Sequence, residues 1–147
     1  FRVGVKSASG EMLDRWDQKM VVPTFGDAAA LTLSTPRFLR ARPPIEARAL
    51  AAGNLPVPAA SRQFRMTDRV VVETDAYGPA AAEFTAQILN AKGDRLIDLP
   101  VAHHAGGAAR VSLPLQSLAP NTTYIVDIEA RAGNATAQER VAFRIVP

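Results

Sequence analysis

The amino-acid sequence predicts an all-β fold, an antiparallel β-sandwich of about eight strands with a long irregular crossover. Three observations carry this prediction. Apolar and polar residues alternate with a period of two in several short segments, which is the pattern of a half-buried strand. Turn-forming residues separate these segments at intervals of about 8–12 residues, and convincing helical periodicity is missing. The length of 147 residues suits a single domain with a sizeable core, so we expect one domain over residues 1–147.

Residues 1–35 are predicted to form the N-terminal strands. Two strands joined at Ser9-Gly10 come first, and a short strand follows around Leu31 to Leu33. Residues 36–66 contain four prolines within RARPPIEARALAAGNLPVPAASRQF and little alternation. This stretch is therefore predicted to be a long irregular connection, with one helical turn at Ile45 to Ala52.

Residues 67–147 are predicted to hold the main set of strands. The segment DRVVVETDAYG is rich in β-branched residues and is expected to end as a strand near Gly78-Pro79. A hairpin follows, with its turn at Lys92-Gly93-Asp94. The short strand in AARVSLPLQSL ends at Pro114 or forms an edge there. The last two alternating segments are predicted to be antiparallel neighbours joined at Gly133-Asn134.

Composition excludes several kinds of site. The chain has no cysteine, which rules out disulfides, thiolate nucleophiles and thiolate metal ligands. Its 17 basic and 14 acidic residues give a net charge of +3, which is too small to predict nucleic-acid binding. No apolar run approaches the length of about 20 residues that crosses a bilayer, and we expect no leader at the start of this sequence. We expect no direct membrane insertion, and we expect the chain to be a piece of a longer or processed polypeptide.

The stretch LAPNTTYIVDIEA predicts a corner between two strands. Leu118, Pro120 and Tyr124 have the spacing of a tyrosine corner, in which a tyrosine near the start of a late strand hydrogen-bonds to backbone a few residues upstream. We expect the leucine to plug the sandwich, the proline to fix the turn and the tyrosine hydroxyl to close it.

The same stretch resembles the signature that fibronectin type III domains carry at this corner. Much of the chain is also similar, in the order of its features, to a C-terminal accessory domain of bacterial exported proteins, where the domain follows a von Willebrand factor A-like domain. Five features occur in this order: the stretch VVPTFGDAAALTLSTPRFL, an arginine-rich connection, the stretch FRMTDRVVV, a hairpin with a Lys-Gly turn, and the stretch SLPLQSLAPNTTYIVDIEA.

The resemblance implies an immunoglobulin/fibronectin III-like sandwich and a non-enzymatic interaction or structural accessory module. It also implies an exported protein, whether periplasmic, at the cell surface or secreted. The expected partner is a neighbouring domain of the same polypeptide or another protein, with no nucleic acid, cofactor or metal. The family supplies no catalytic residues to carry over.

Two groups of residues are candidates for an interaction surface. Positive charge is concentrated at Arg37, Arg40, Arg42 and Arg48, and it could bind an acidic partner. The same arginines would also be explained if they only kept a solvent-exposed linker soluble. Trp16 could stack on a sugar or a partner, although a lone tryptophan is more often part of a core. The alternative function is a carbohydrate-binding module, which would place Trp16, Tyr77 or Phe38 on an open face beside polar partners.

Other motifs have simpler structural interpretations. A metal could bind the adjacent pair His103-His104, although a solvated turn explains the pair as well. Asp75 and Glu83 could flank a calcium ion, but they match no defined calcium loop. Asn121 and Asn134 begin glycosylation sequons, which matter only in a eukaryotic source. The sequence offers no nucleophile elbow and no phosphate loop, and we therefore expect no enzyme.

Overall fold

The computed structural model describes residues 2–17, 30–42, 44–51, 58–78, 81–103 and 108–147. These residues form thirteen strands and one α-helix, with a short 3-10 helix at Leu115–Ser117. The elements are β1 (Arg2–Lys6), β2 (Met12–Asp17), β3 (Thr32–Leu33), β4 (Arg37–Ala41), α1 (Pro44–Ala51), β5 (Gln63–Arg65), β6 (Arg69–Thr74), β7 (Ala76–Tyr77), β8 (Glu83–Asn90), β9 (Arg95–Leu99), β10 (Val101–His103), β11 (Ala109–Ser112), β12 (Thr123–Ala132) and β13 (Ala135–Val146). The helix is too short to span a membrane, and no described helix meets that requirement.

Two sheets make the sandwich, and the predicted all-β fold class is confirmed. One sheet has the order β5-β13-β12-β8-β9 and the other has the order β10-β11-β6-β4. Every pairing within them is antiparallel except that of β5 with β13. Two smaller pairs, β1 with β2 and β3 with β7, complete the described strands.

The core lies between the two large sheets and follows from the alternation in the sequence. On β12, the side chains of Tyr124, Val126, Ile128 and Ala130 are buried in this core. Three phenylalanine rings connect the sheets: Phe38 of β4 stacks on Phe64 of β5 with ring centroids 5.4 Å apart, and Phe143 of β13 lies 6.2 Å from Phe38. Such aromatic contacts add to the free energy of burying the rings.

The predicted hairpins are confirmed. The β12–β13 pair runs from Thr123↔Arg144 to Ala132↔Ala135, closed by Gly133 with φ +60°. The β8–β9 pair turns at Gly93 with φ +92°, a left-handed conformation that glycine adopts without strain. The N-terminal hairpin β1–β2 also forms, with its turn between Ser7 and Glu11.

The prediction that residues 36–66 form an irregular connection is wrong for much of that range. Strand β4 is part of the four-stranded sheet, and β5 pairs in parallel with β13. The alternation is weak in β4 because both of its faces are covered. Phe38 faces the main core, while Leu39 and Ala41 face a second apolar cluster with Leu50 of α1. A strand buried on both faces reads as an apolar run.

The helical turn expected at Ile45 to Ala52 is present as α1. Proline at its first position loses no hydrogen bond, because the first backbone N–H groups of a helix have no partner within it. The backbone N–H of Arg42 donates to a Glu46 carboxylate oxygen at 3.1 Å, which holds the start of the helix. The strand count exceeds the eight expected because β4, β5, β7 and β10 were not predicted: β4 lacks alternation, and the other three have only two or three residues each.

Candidate interaction surfaces

The Tyr124 corner is built from buried and exposed parts. The Tyr124 hydroxyl oxygen accepts a hydrogen bond from the backbone N–H of Ala119 at 2.8 Å and lies 3.5 Å from the carbonyl oxygen of the same residue. Leu118 and Tyr124 are buried in the main core, whereas Pro120 is exposed in the turn. The Thr122 hydroxyl donates to the Pro120 carbonyl at 3.1 Å. These contacts are those of a tyrosine corner, and their role is structural.

The arginines singled out in the sequence do not form one surface. Arg37 and Arg40 lie three residues apart on β4, so their side chains start from opposite faces of the strand. Arg48 is exposed on α1. Arg42 lies after β4 and pairs with the buried Asp68, with 3.4 Å between its Nε and the carboxylate.

The charge of Arg37 is compensated within the sandwich. Its Nη2 lies 2.8 Å from Glu73 and 2.9 Å from Asp75. Glu73 also accepts a hydrogen bond from Arg110 Nε at 2.5 Å, and the side chains of Glu73 and Arg110 are both only 13% exposed. This network crosses β4, β6 and β11. An arginine already shared by two carboxylates offers little net charge to a partner.

One of the aromatic residues considered for sugar stacking is buried. Phe38 is 3% exposed, so it cannot stack on a ligand. Tyr77 is exposed at the end of β7. Trp16 lies in β2, but its side chain falls outside the described part of the structure. The interpretation that placed Phe38 on an open face is therefore wrong.

The structure describes only some of the candidate metal positions. His103 is exposed and its ring meets that of Phe84 edge-on at 5.8 Å, while His104 lies outside the described residues. Asp75 pairs with Arg37. Within the described ranges, no three histidine, aspartate or glutamate side chains are placed to hold a metal ion.

Strand β12 carries a buried carboxylate, Asp127, that was not predicted from the sequence as a site residue. Asp127 is 3% exposed, although it lies on the face of the strand that points away from the main core. It accepts hydrogen bonds from Gln87 Nε2 at 2.9 Å, Gln138 Nε2 at 2.8 Å and Arg140 Nε at 3.2 Å. Such donors make the burial of a carboxylate tolerable. The network joins β8, β12 and β13.

A cleft of about 490 Å³ opens beside Asp127 and is lined by residues of β8, β9, β10 and β12. Each carboxylate in its wall has an arginine partner: Asp98 pairs with Arg95, Asp127 with Arg140, and Glu129 with Arg131. The pKa of Arg95 is raised above its ordinary value, mainly by its hydrogen bond to Asp98 and also by the negative charge of Asp98. The wall is therefore polar but its charges are already compensated.

The exposed apolar side chains are concentrated in the N-terminal hairpin. Val5, Met12 and Leu13 are 53%, 50% and 63% exposed, and they are three of the five large hydrophobic residues that are exposed in the described part of the chain. No third strand pairs with β1 or β2 among the described strands. Two-stranded hairpins of this kind are marginally stable in water by themselves.

The other exposed leucine lies on a protected edge. Strand β9 ends the five-stranded sheet, and a bulge leaves Leu96 without a partner on β8. Arg95 and Asp98 flank that position. Short edge strands with bulges and charges resist pairing with another chain. Leu96 is thus an exposed apolar residue in a poor place for strand addition.

No protein-family model matches the chain, and no curated protein matches it.

Proposed function

We propose that this chain is a non-enzymatic protein-interaction or structural accessory module with an immunoglobulin-like arrangement of strands. The order β4-β6-β11-β10 corresponds to the A-B-E-D sheet of an immunoglobulin domain, and β8-β12-β13 corresponds to C-F-G. Strand β9 takes the position of an added strand beside C. The tyrosine corner at the start of β12, the F position, supports the same arrangement.

The exposed hairpin β1–β2 is the observation that carries the proposed function. Folds of this kind occur in proteins of many functions, so the function has to be inferred from the residues on the surface. Val5, Met12 and Leu13 expose apolar area on a ribbon that has no third strand among the described residues. Large apolar side chains that are exposed together in one element favour a protein-interaction site. Docking against another folded domain would bury these side chains and stabilise the ribbon.

The sequence resemblance supports an exported bacterial protein as the setting. The family it resembles places such a domain after a von Willebrand factor A-like domain. In that setting, the partner of the hairpin is a neighbouring domain of the same polypeptide or another exported protein.

A photo-crosslinking experiment in the cells that produce the protein tests the proposal. Leu13 is replaced by p-benzoylphenylalanine, and the matched control carries the same group at Leu96, which is 48% exposed on β9. We expect one discrete adduct from position 13, and we expect protease to digest the attached partner. Adding Met12→Asp should remove that adduct.

Three outcomes would contradict the proposal. The first is no adduct from position 13, and the second is the same set of adducts from positions 13 and 96. The third is an attached partner that resists protease but is released by glycosidases, which would favour a carbohydrate-binding module.

A further inference from the structure

A second surface lies at one end of the five-stranded sheet. A groove of about 260 Å³ is lined there by residues of β5, β12 and β13 and the segment before β5. The backbone N–H of Arg144 donates to the carbonyl oxygen of Arg62 at 2.9 Å, so the two residues are backbone neighbours. Register places Gln63 and Thr123 on either side of Arg144.

The two arginines of this groove differ from six other arginines of the described chain, which form ion pairs. Arg37, Arg42, Arg95, Arg110, Arg131 and Arg140 each pair with a carboxylate. Among the described residues, no carboxylate lies within ion-pair distance of Arg62 or Arg144, and none lines the groove. The Arg62 guanidinium instead lies 5.9 Å from the centre of the Phe38 ring, a cation–π contact that orients it.

The remaining polar groups of the groove are able to donate hydrogen bonds. The Ser61 Oγ accepts from the backbone N–H of Gln63 at 3.2 Å, which leaves its own proton to donate. Thr123 adds a second hydroxyl, and Gln63 adds an amide. Guanidinium groups beside hydroxyl and amide donors recognise oxyanions, because each donor can meet a carboxylate or phosphate oxygen.

A second cleft adjoins the groove at Thr123, which lines both. The second cleft measures about 460 Å³ and includes Lys92 and Asp94 at the β8–β9 turn. The combined track holds three cations, Arg62, Arg144 and Lys92, against one carboxylate, which leaves a charge of +2. It crosses β5, β13, β12 and β8, and three strand spacings amount to about 14 Å, or about four residues of extended chain.

We propose that this track, Arg62–Arg144–Lys92, binds an extended acidic peptide segment of a partner protein through its carboxylates. A peptide fits better than a glycan or a single-stranded nucleic acid, because those ligands use exposed aromatic rings for stacking. Phe143, the one aromatic residue in the described lining, is buried. The inference rests on the proposed function only in taking a protein as the partner, and it uses a different surface from the hairpin.

Titration calorimetry with the complete chain tests the inference. The probe is the peptide acetyl-(Glu)6-amide at low ionic strength, compared with acetyl-(Gln)6-amide, inorganic phosphate and sulfate. We expect saturable binding of the glutamate peptide alone, weakened by added salt. Replacing both arginines, Arg62→Gln with Arg144→Gln, should weaken binding roughly tenfold or more, because two charge-assisted contacts are lost.

The matched control removes the same two charges elsewhere. Arg48 and Arg69 are exposed and have no carboxylate partner among the described residues, so Arg48→Gln with Arg69→Gln should leave the affinity within about twofold of the original. The conservative pair Arg62→Lys with Arg144→Lys should restore part of the binding. Urea unfolding of every variant shows that the fold is retained.

Equal losses in the two double variants would overturn the inference, because net charge and not the track would then hold the peptide. Phosphate or sulfate binding as tightly as the peptide would also overturn it, in favour of a site for a free anion. No binding of the glutamate peptide by the unchanged protein would end it. None of these results affects the crosslinking test at position 13, so the two proposals can fail separately.

Discussion

The outer faces of the two large sheets are completed in different ways. Over the four-stranded sheet, helix α1 brings Leu50 onto Leu39 and Ala41 and forms a second, small apolar core. Over the five-stranded sheet, Asp127 is covered by the amides of Gln87 and Gln138 and by an arginine. One face is closed by removing apolar area from water, and the other by hydrogen bonds to a buried charge. Truncating a side chain should therefore lower the unfolding free energy by different amounts on the two faces.

Truncating the apolar closure should have the largest effect. Leu50→Ala removes a buried side chain from a small cluster and leaves a cavity, which costs about 2–4 kcal/mol of unfolding free energy. Urea unfolding followed by circular dichroism measures the change. Leu96→Ala, at an exposed position, is the control and should cost less than about 0.5 kcal/mol. Equal losses in the two variants would show that α1 does not bury Leu50 in solution.

Truncating the polar closure should cost less. Asp127→Ala removes the acceptor of three hydrogen bonds, but Gln87 and Gln138 are partly exposed and can bind water instead. We expect a loss of about 1–3 kcal/mol. The control is Asp98→Ala, because Asp98 is an exposed carboxylate on the neighbouring strand that is also paired with an arginine. That variant should cost no more than about 1 kcal/mol.

The isosteric change Asp127→Asn separates hydrogen bonding from shape. It keeps the volume of the side chain but places an NH₂ group where a glutamine amide donates. A loss close to that of Asp127→Ala would show that the negative charge and its acceptor atoms matter. No loss in either variant would mean that the network adds nothing to stability, as happens with many paired charges.

The contrast between the faces also explains what the sequence can predict. Period-two alternation works where one face of a strand carries apolar side chains and the other carries polar ones, as on β12 and β13, and it predicts both strands and their pairing. It fails on β4, because α1 covers the second face with residues that follow later in the chain. Local composition, with its prolines and alanines, therefore resembled a loop.

The candidate surfaces show the same limit. The arginines close together in sequence are divided between the two faces of β4 and α1, and two of them are paired internally. Arg62 and Arg144 are 82 positions apart (144 − 62), yet parallel pairing of β5 with β13 makes them neighbours. The burial of Asp127 likewise depends on glutamines from two other strands. Only contacts between distant segments reveal such groups.

The smallest effect is expected at Tyr124, which combines both kinds of closure in one side chain. Its ring packs in the main core, 5.8 Å from that of Phe143, while its hydroxyl bonds to the backbone of Ala119. Tyr124→Phe keeps the ring and removes only the hydroxyl, so it leaves the Ala119 N–H without this acceptor. We expect a loss of about 0.5–1.5 kcal/mol with the fold retained, measured by urea unfolding.

Comparison with Tyr124→Leu then divides the contribution of the residue. Leucine removes the aromatic ring as well as the hydroxyl, so it should cost more than phenylalanine by the lost packing against Phe143. If phenylalanine costs nothing, the corner hydrogen bond is replaced by water at no loss, and the tyrosine is retained for its ring alone. If phenylalanine costs as much as leucine, the hydroxyl dominates, and the end of the sandwich is held, like the Asp127 face, mainly by hydrogen bonds.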